Sequence, residues 1–210
     1  MKAIILNAGK SEKLSEDLRN KPKCLLEIEN NSILEIQLNI LYNCGINDVS
    51  VVRGYCKEDI NIPGIKYYDN KYYDSTNVLY SLFCAEEELN DDVLIIYGDI
   101  LFTESTINRI TDSKHDIAIG VMTNTDSYFK DRYVDYTKKE MLIFDAQNNV
   151  EQIGKGLLNI SDSNSGLFTG IIKCTKRGCD ILKNNYNRII DIKETSTYLN
   201  EQKIKKYMDN

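Results

Sequence analysis

Histidine occurs once in this chain, at His115, and none of the six cysteines (Cys24, Cys44, Cys56, Cys84, Cys174, Cys179) forms a CxxC pair. Zinc sites need clustered soft ligands, so a structural or catalytic zinc is not expected. Cysteines scattered along 210 residues instead point to free thiols in a reducing compartment. No apolar run approaches the ~20 residues of a membrane span, and Ala3 to Leu6 is too short for the apolar core of a secretory leader. The expected setting is cytoplasmic, without membrane insertion. An excess of basic charge is lacking too: 26 Lys and Arg stand against 32 Asp and Glu, a net charge of -6. That excludes a general nucleic-acid binder, which must displace phosphate counterions. Repeats and linkers are absent, so a single domain over residues 1–210 is expected.

Hydrophobic residues make up 42% of the chain and charged residues 28%, enough to bury a core. Lys2 to Leu6 reads as a buried strand running into the turn Asn7-Ala8-Gly9-Lys10-Ser11. Ser32 is placed to cap a helix to about Asn43, ended by Cys44-Gly45. Asp48 to Val52 reads as a second strand, Ile65 to Asp74 as a short strand and loop, and Ser75 to Leu89 as a helix. Val93-Leu94-Ile95-Ile96-Tyr97 is a continuous apolar run, as in a strand buried on both faces of a parallel sheet. It stops abruptly at Gly98-Asp99. Further strands are expected at Asp116–Met122, Met141–Asp145, Val150–Ile153 and Gly166–Lys173, with helices near Lys176–Asn184 and Ser196–Tyr207. This alternation predicts an α/β doubly wound core with an antiparallel addition in the second half.

Ligands of open α/β sheets bind beyond the carboxyl ends of the strands. The small-residue turn after the first strand lets backbone N–H groups approach a phosphate. Asp99, at the tip of an apolar run, faces a cleft, pairs with a cation or caps a helix; it is too costly to bury bare. Gly9-Lys10-Ser11 mimics the tail of a P-loop, but the required upstream glycine is Ile4, so that reading is rejected. Tyr67, Tyr68, Tyr72, Tyr73 and Tyr80 cluster either as an aromatic wall for a base or cationic headgroup, or as ordinary packing. His115 has no polar partner at motif spacing and reads as structural.

The stretch from Lys2 to Leu26 resembles the opening of nucleotidyltransferases built on the GT-A-type Rossmann-like fold, roughly LAAGxGSRLxPLTxxxPKxL. The register runs without a gap from Leu6 through Leu14 to Pro22-Lys23. Ser11 replaces the second glycine, Glu12 the following small residue and Lys13 the arginine. Lysine lacks the bidentate fork, so its grip on pyrophosphate is looser. The segment Tyr68 to Leu82 is similar to phosphocholine cytidylyltransferases and relatives acting on phosphonates, as are Val150 to Lys155 and Gly166 to Gly170.

The resemblance implies a mixed, mainly parallel Rossmann-like sheet and a magnesium-dependent cytidylyltransferase. The acceptor would be a small phosphorylated or phosphonate molecule, such as phosphocholine, an aminoalkylphosphonate or another phosphorylated amine. It assigns catalysis to Lys13 and Lys23, and nucleotide binding to Leu6, Asn7, Ala8, Gly9, Lys10, Ser11, Asn77, Ser81 and Gly98. Lys155, Tyr72 and Tyr80 would hold the acceptor. Asp99 and Asp191 would hold Mg2+, Asp191 lying in Ile189-Ile190-Asp191-Ile192-Lys193-Glu194, a degraded form of the family's late acidic motif. Equally, Lys203 to Asn210 corresponds to a segment upstream of that motif. The expected partners are CTP and the acceptor, with no nucleic acid; a homodimer is allowed. A sugar-1-phosphate nucleotidyltransferase is the nearest alternative. A glycosyltransferase, whose DxD motif Gly98-Asp99-Ile100-Leu101 lacks, and a non-catalytic nucleotide-binding regulator come from other classes.

Overall fold

The computed structural model describes residues 1–10, 20–125, 130, 139–157 and 164–196, with the backbone alone for residues 191–196. β1 (Lys2–Asn7) lies at the centre of a sheet, parallel to β4 (Asp48–Arg53) on one side and to β6 (Val93–Tyr97) on the other. β5 (Lys66–Asp69) extends the parallel part beyond β4. β10 (Ser165–Cys174) runs antiparallel against β6 and also pairs with β7 (Ile117–Met122) and β8 (Glu140–Phe144). β9 (Val150–Lys155) is outermost, next to β8. The fold is therefore Rossmann-like, with its antiparallel addition in the second half. A hairpin of β2 (Glu27–Ile28) and β3 (Asn31–Ser32) stands apart from this sheet.

The apolar runs are explained by burial on both faces. Ala3, Ile5, Leu94 and Ile96 point to one side, where they meet Leu34, Leu38 and Leu41 of α1 (Ile33–Asn43) and Ile107 and Ile110 of α3 (Glu104–Thr111). Ile4, Val93 and Ile95 point to the other, against Leu82 of α2 (Val78–Phe83) and Cys179 of α4 (Lys176–Ser196). Strand side chains alternate between faces, so a run with no polar member requires helices on both. Ser32 caps α1 as expected. Its Oγ accepts from Glu35 N at 3.2 Å, and the Glu35 carboxylate accepts from Ser32 N at 2.8 Å. Gly45 leaves the helix at φ +78, a left-handed turn that glycine adopts without strain.

Three helices differ from the sequence reading. The helix expected from Ser75 to Leu89 is α2, which starts only at Val78 because Asn77 caps it, its Oδ1 accepting from Tyr80 N at 3.0 Å. Glu86–Glu88 forms a separate 3-10 turn. The helix expected to stop near Asn184 continues to Ser196, and so runs through Asp191. α3 was not anticipated, although Thr103 caps it and Ile107 and Ile110 give it an apolar face. Most of the last expected helix, Ser196–Tyr207, lies outside the described residues. Among those described, no helix is long and apolar enough to cross a membrane.

The 3-10 turn buries Glu88 in an ionic cluster at the amino end of β1 whose lysines stay partly exposed. Glu88 accepts from Lys2 Nζ at 2.9 Å, from Tyr68 OH at 2.6 Å and from Lys66 Nζ. Burial opposes its ionisation, but these hydrogen bonds outweigh that and hold its pKa at about 2, against an ordinary 4.5. A carboxylate held low contributes stability above its unfolded pKa and loses it as pH falls towards the folded value. The contribution is on the order of 3 kcal/mol. Glu88→Gln is thus expected to be less stable than the wild type at pH 7, with the gap narrowing as pH falls from 4.5 towards 2. Denaturant melts across that range check this; a gap that stays constant would overturn it.

Candidate active site

An open cavity of about 170 Å³ lies at the carboxyl ends of β1 and β6. Leu6, Asn7, Ala8 and Gly9 form one wall, Tyr73, Thr76, Asn77, Val78 and Ser81 another, and Lys23, Tyr97 and Asp99 complete the lining. Gly98 N donates to Leu6 O at 3.0 Å, so the turn carrying Asp99 stays registered on β1. Gln37 of α1, fully buried, fixes the same turn from below. Its Nε2 donates to Tyr97 O at 3.0 Å and to Ile100 O at 2.7 Å.

Lys23 reaches this turn from far away in sequence. Pro22 is extended, at φ -56 and ψ 138, and a single 3-10 turn over Lys23–Leu25 follows it. Cys24 is buried in the core and anchors that turn. Lys23 Nζ then lies 3.0 Å from Asp99 Oδ2. This is the sequence-predicted cation and carboxylate brought together at the mouth of the cavity, with side chains 36% and 42% exposed. Burial, with the charge of Asp99 adding to it, pushes the Cys24 thiol up to about 12. A thiol held protonated is no nucleophile. Burial and the charges of Glu140 and Asp99 likewise push the Tyr97 phenol up.

The opposite wall is shaped by Asn70, which is buried. Its Nδ2 donates to Thr76 Oγ1 and to Ser81 Oγ, each at 3.0 Å, and its Oδ1 accepts from Tyr72 N at 2.8 Å. One side chain thereby holds two cavity hydroxyls and the turn at Tyr72 that leads into them. Gly54 lets the end of β4 approach closely: an added Cβ would lie 2.6 Å from Ala8 O and 2.7 Å from Tyr73 Cβ. At Gly9 an added Cβ would meet nothing within 4 Å among the described residues. Gly54→Ala is therefore expected to cost about 1–3 kcal/mol in stability, and Gly9→Ala less than about 0.5 kcal/mol. Urea melts of the two variants check this; equal effects would contradict the packing described.

Several predicted positions lie elsewhere. Tyr72 is 59% exposed; it packs edge-on against Tyr80 at 6.4 Å, and neither lines the cavity. Tyr73 does, and it contacts Tyr55 edge-on at 6.0 Å. Lys10 Nζ sits 5.7 Å from the Tyr55 ring. Lys155 ends β9 with its side chain 60% exposed, 3.9 Å from Glu140, and is not part of the lining. Ser11 and Lys13 lie outside the described residues, as does the side chain of Asp191. His115 is exposed on the approach to β7. Thr76, Val78 and Tyr97 in the lining, and Asn70 behind it, are not assigned to the site by the sequence. Only Tyr97 carried a local signal, as the last residue of the apolar run.

Among the described residues, no group of three His, Cys, Asp or Glu could hold a metal ion. Asp99 offers a single carboxylate at the cavity mouth. Such a donor set suits magnesium, which keeps its waters and takes one or two carboxylates with substrate phosphates.

Residues 3–147 match the MobA-like NTP transferase domain. The chain belongs to this family. It is a nucleotidyltransferase whose relatives include cytidylyltransferases. The CTP:phosphoglutamine cytidylyltransferase of Campylobacter jejuni is 27% identical over 189 residues, covering 82% of this chain and 72% of the relative. The choline-phosphate cytidylyltransferase of Streptococcus pneumoniae is 31% identical over 177 residues, covering 81% and 69%. The solved CTP:phosphocholine cytidylyltransferase of Streptococcus pneumoniae shares the fold of this NTP transferase, with a TM-score of 0.66 at 23% identity, over 100% of this chain and 84% of that one.

Proposed function

We propose that the chain is a magnesium-dependent cytidylyltransferase that transfers CMP from CTP to a small phosphorylated or phosphonate acceptor. The observation that carries this reading is the Lys23–Asp99 pair, 3.0 Å apart, at the mouth of a cavity formed by the β1 and β6 ends. Relatives that use CTP favour this nucleotide.

In the proposed reaction an acceptor oxygen attacks the α-phosphorus. A new P–O bond forms, the bond to the β-phosphate oxygen breaks, and pyrophosphate leaves. The acceptor oxygen is already anionic, so no side chain need act as nucleophile, in keeping with the protonated Cys24. Catalysis is then alignment and charge neutralisation. Lys23 neutralises charge on the α-phosphoryl group, and Lys13 that on the leaving pyrophosphate. Asp99, with Asp191, would hold magnesium, which supplies Lewis-acid stabilisation of the phosphates. Gly9 and its neighbours present bare backbone to the phosphates.

The test is pyrophosphate release with CTP, UTP, ATP, GTP and dTTP against phosphocholine, aminoethylphosphonate, phosphorylated amino acids and sugar 1-phosphates. Release with CTP and one phosphorylated amine or phosphonate is expected. Release only with another nucleotide and a sugar phosphate would replace this reading by that of a sugar-1-phosphate nucleotidyltransferase. Nucleotide binding without release would leave a regulator.

A further inference from the structure

Asn7 ends β1 on the face that also carries Ala3 and Ile5, and so shares its side with Gly98 of the neighbouring turn. Its carboxamide is the feature of the cavity that protein contacts do not explain. The residue is 8% exposed and lines the cavity, and its Nδ2, itself closed to solvent, has no acceptor among the described residues. A buried donor left unpaired destabilises a fold, so it persists where something else supplies the acceptor. The amide is also fitted into place by its neighbour. A Cβ at Gly98 would lie 1.6 Å from Asn7 Oδ1 and 2.2 Å from Cγ, so glycine at that position makes room for this side chain. The family pattern that the amino terminus resembles has alanine here, which carries no donor.

The surroundings indicate which ligand group it meets. Lys23 and Asp99 are the charged side chains lining the cavity among the described residues, and Asp99 directly follows Gly98. The anionic part of a nucleotide belongs at that end. Thr76, Asn77 and Ser81 make the opposite wall polar but uncharged. A neutral donor beside Asp99 adds a hydrogen bond without adding a second cation to compete for the carboxylate.

We propose that Asn7, its carboxamide turned to present Nδ2 to the cavity, donates a hydrogen bond to an oxygen of the nucleotide's α-phosphoryl group and so orients the phosphorus under attack. The assignment rests on the nucleotidyl-transfer reading above. It predicts a trade between stability and binding, because removing the amide removes an unpaired buried group in the free protein.

Calorimetric titration of CTP, CMP and cytidine, with magnesium, into the wild type, Asn7→Ala and Asn7→Asp tests this, alongside their melting temperatures. Asn7→Ala is expected to weaken CTP and CMP by about 10–100-fold, the range for a hydrogen bond to a charged group. Cytidine should be unaffected, and the melting temperature equal to or above that of the wild type. Asn7→Asp, which puts an anionic acceptor where the donor was, should weaken both nucleotides further. Unchanged CTP affinity in Asn7→Ala, or a lowered melting temperature without a binding loss, would make the amide structural and overturn the proposal. An equal loss for cytidine would move the contact to the nucleoside and overturn it too. A wild type that binds none of the three would overturn the cytidylyltransferase reading itself.

Discussion

Replacing Lys23 by alanine is expected to lower turnover about 10²–10³-fold, the range for one key electrostatic donor. The loss should fall on turnover more than on CTP affinity, because charge on the α-phosphoryl group is greatest in the transition state. Stability should change little. The side chain is 36% exposed and its ion pair with Asp99 is solvated, and exposed pairs contribute about 0–1 kcal/mol. The fold around it is held by Cys24, which the substitution leaves in place. Lys23→Arg keeps the charge but replaces a point cation by a planar fork, and should recover part of the rate. Steady-state kinetics with CTP and the identified acceptor check this. Turnover unchanged in Lys23→Ala would remove Lys23 from the mechanism.

The second large effect is expected at Asp99. Asp99→Asn keeps the shape of the side chain and removes its charge, so any loss reports on electrostatics rather than packing. Turnover should again fall by about 10²–10³-fold. The magnesium concentration for half-maximal rate should rise by at least about tenfold. That second readout separates a metal-holding carboxylate from one that merely positions Lys23, since Lys23→Ala should leave the magnesium requirement nearly unmoved. The turn itself should survive. Gln37 holds the carbonyls of Tyr97 and Ile100, and Gly98 N is bonded to Leu6 O. An Asp99→Asn variant with wild-type rate and magnesium dependence would contradict the proposed role.

The parallel half of the fold was legible because strands buried on both faces have no polar positions to blur them. Lys2 to Leu6 and Val93 to Tyr97 announced the two strands that end at the site. The cap on α1 was legible for the same local reason, since Ser32 and Glu35 stand at capping-box spacing. What escaped depended on contacts distant in sequence. The residues after Phe83 make a tight turn at Glu86–Glu88, and Glu88 there meets Lys2 and Lys66 on other strands, which no local pattern reveals.

The site divides in the same way. Lys23 was marked by the family resemblance that Pro22-Lys23 carries, and Asp99 by the apolar run it ends. Their meeting at 3.0 Å is a property of the fold. Asn70 is the converse case. It sits in a tyrosine-rich stretch that drew attention to Tyr72 and Tyr80, yet these face one another outside the cavity, while Asn70 organises Thr76 and Ser81 within it. A buried amide that acts by hydrogen-bonding hydroxyls has no sequence signature comparable to a glycine turn or a lone carboxylate.

The most direct test is to identify the product. The chain is incubated with magnesium, CTP and the responding acceptor, and the mixture is followed by phosphorus NMR and mass spectrometry. The account predicts a CMP–acceptor adduct with a new phosphoanhydride bond, formed in equal amount with pyrophosphate, and lost together with it in Lys23→Ala. CTP bound but recovered intact with every acceptor, or pyrophosphate released with CMP alone and no adduct, would contradict it.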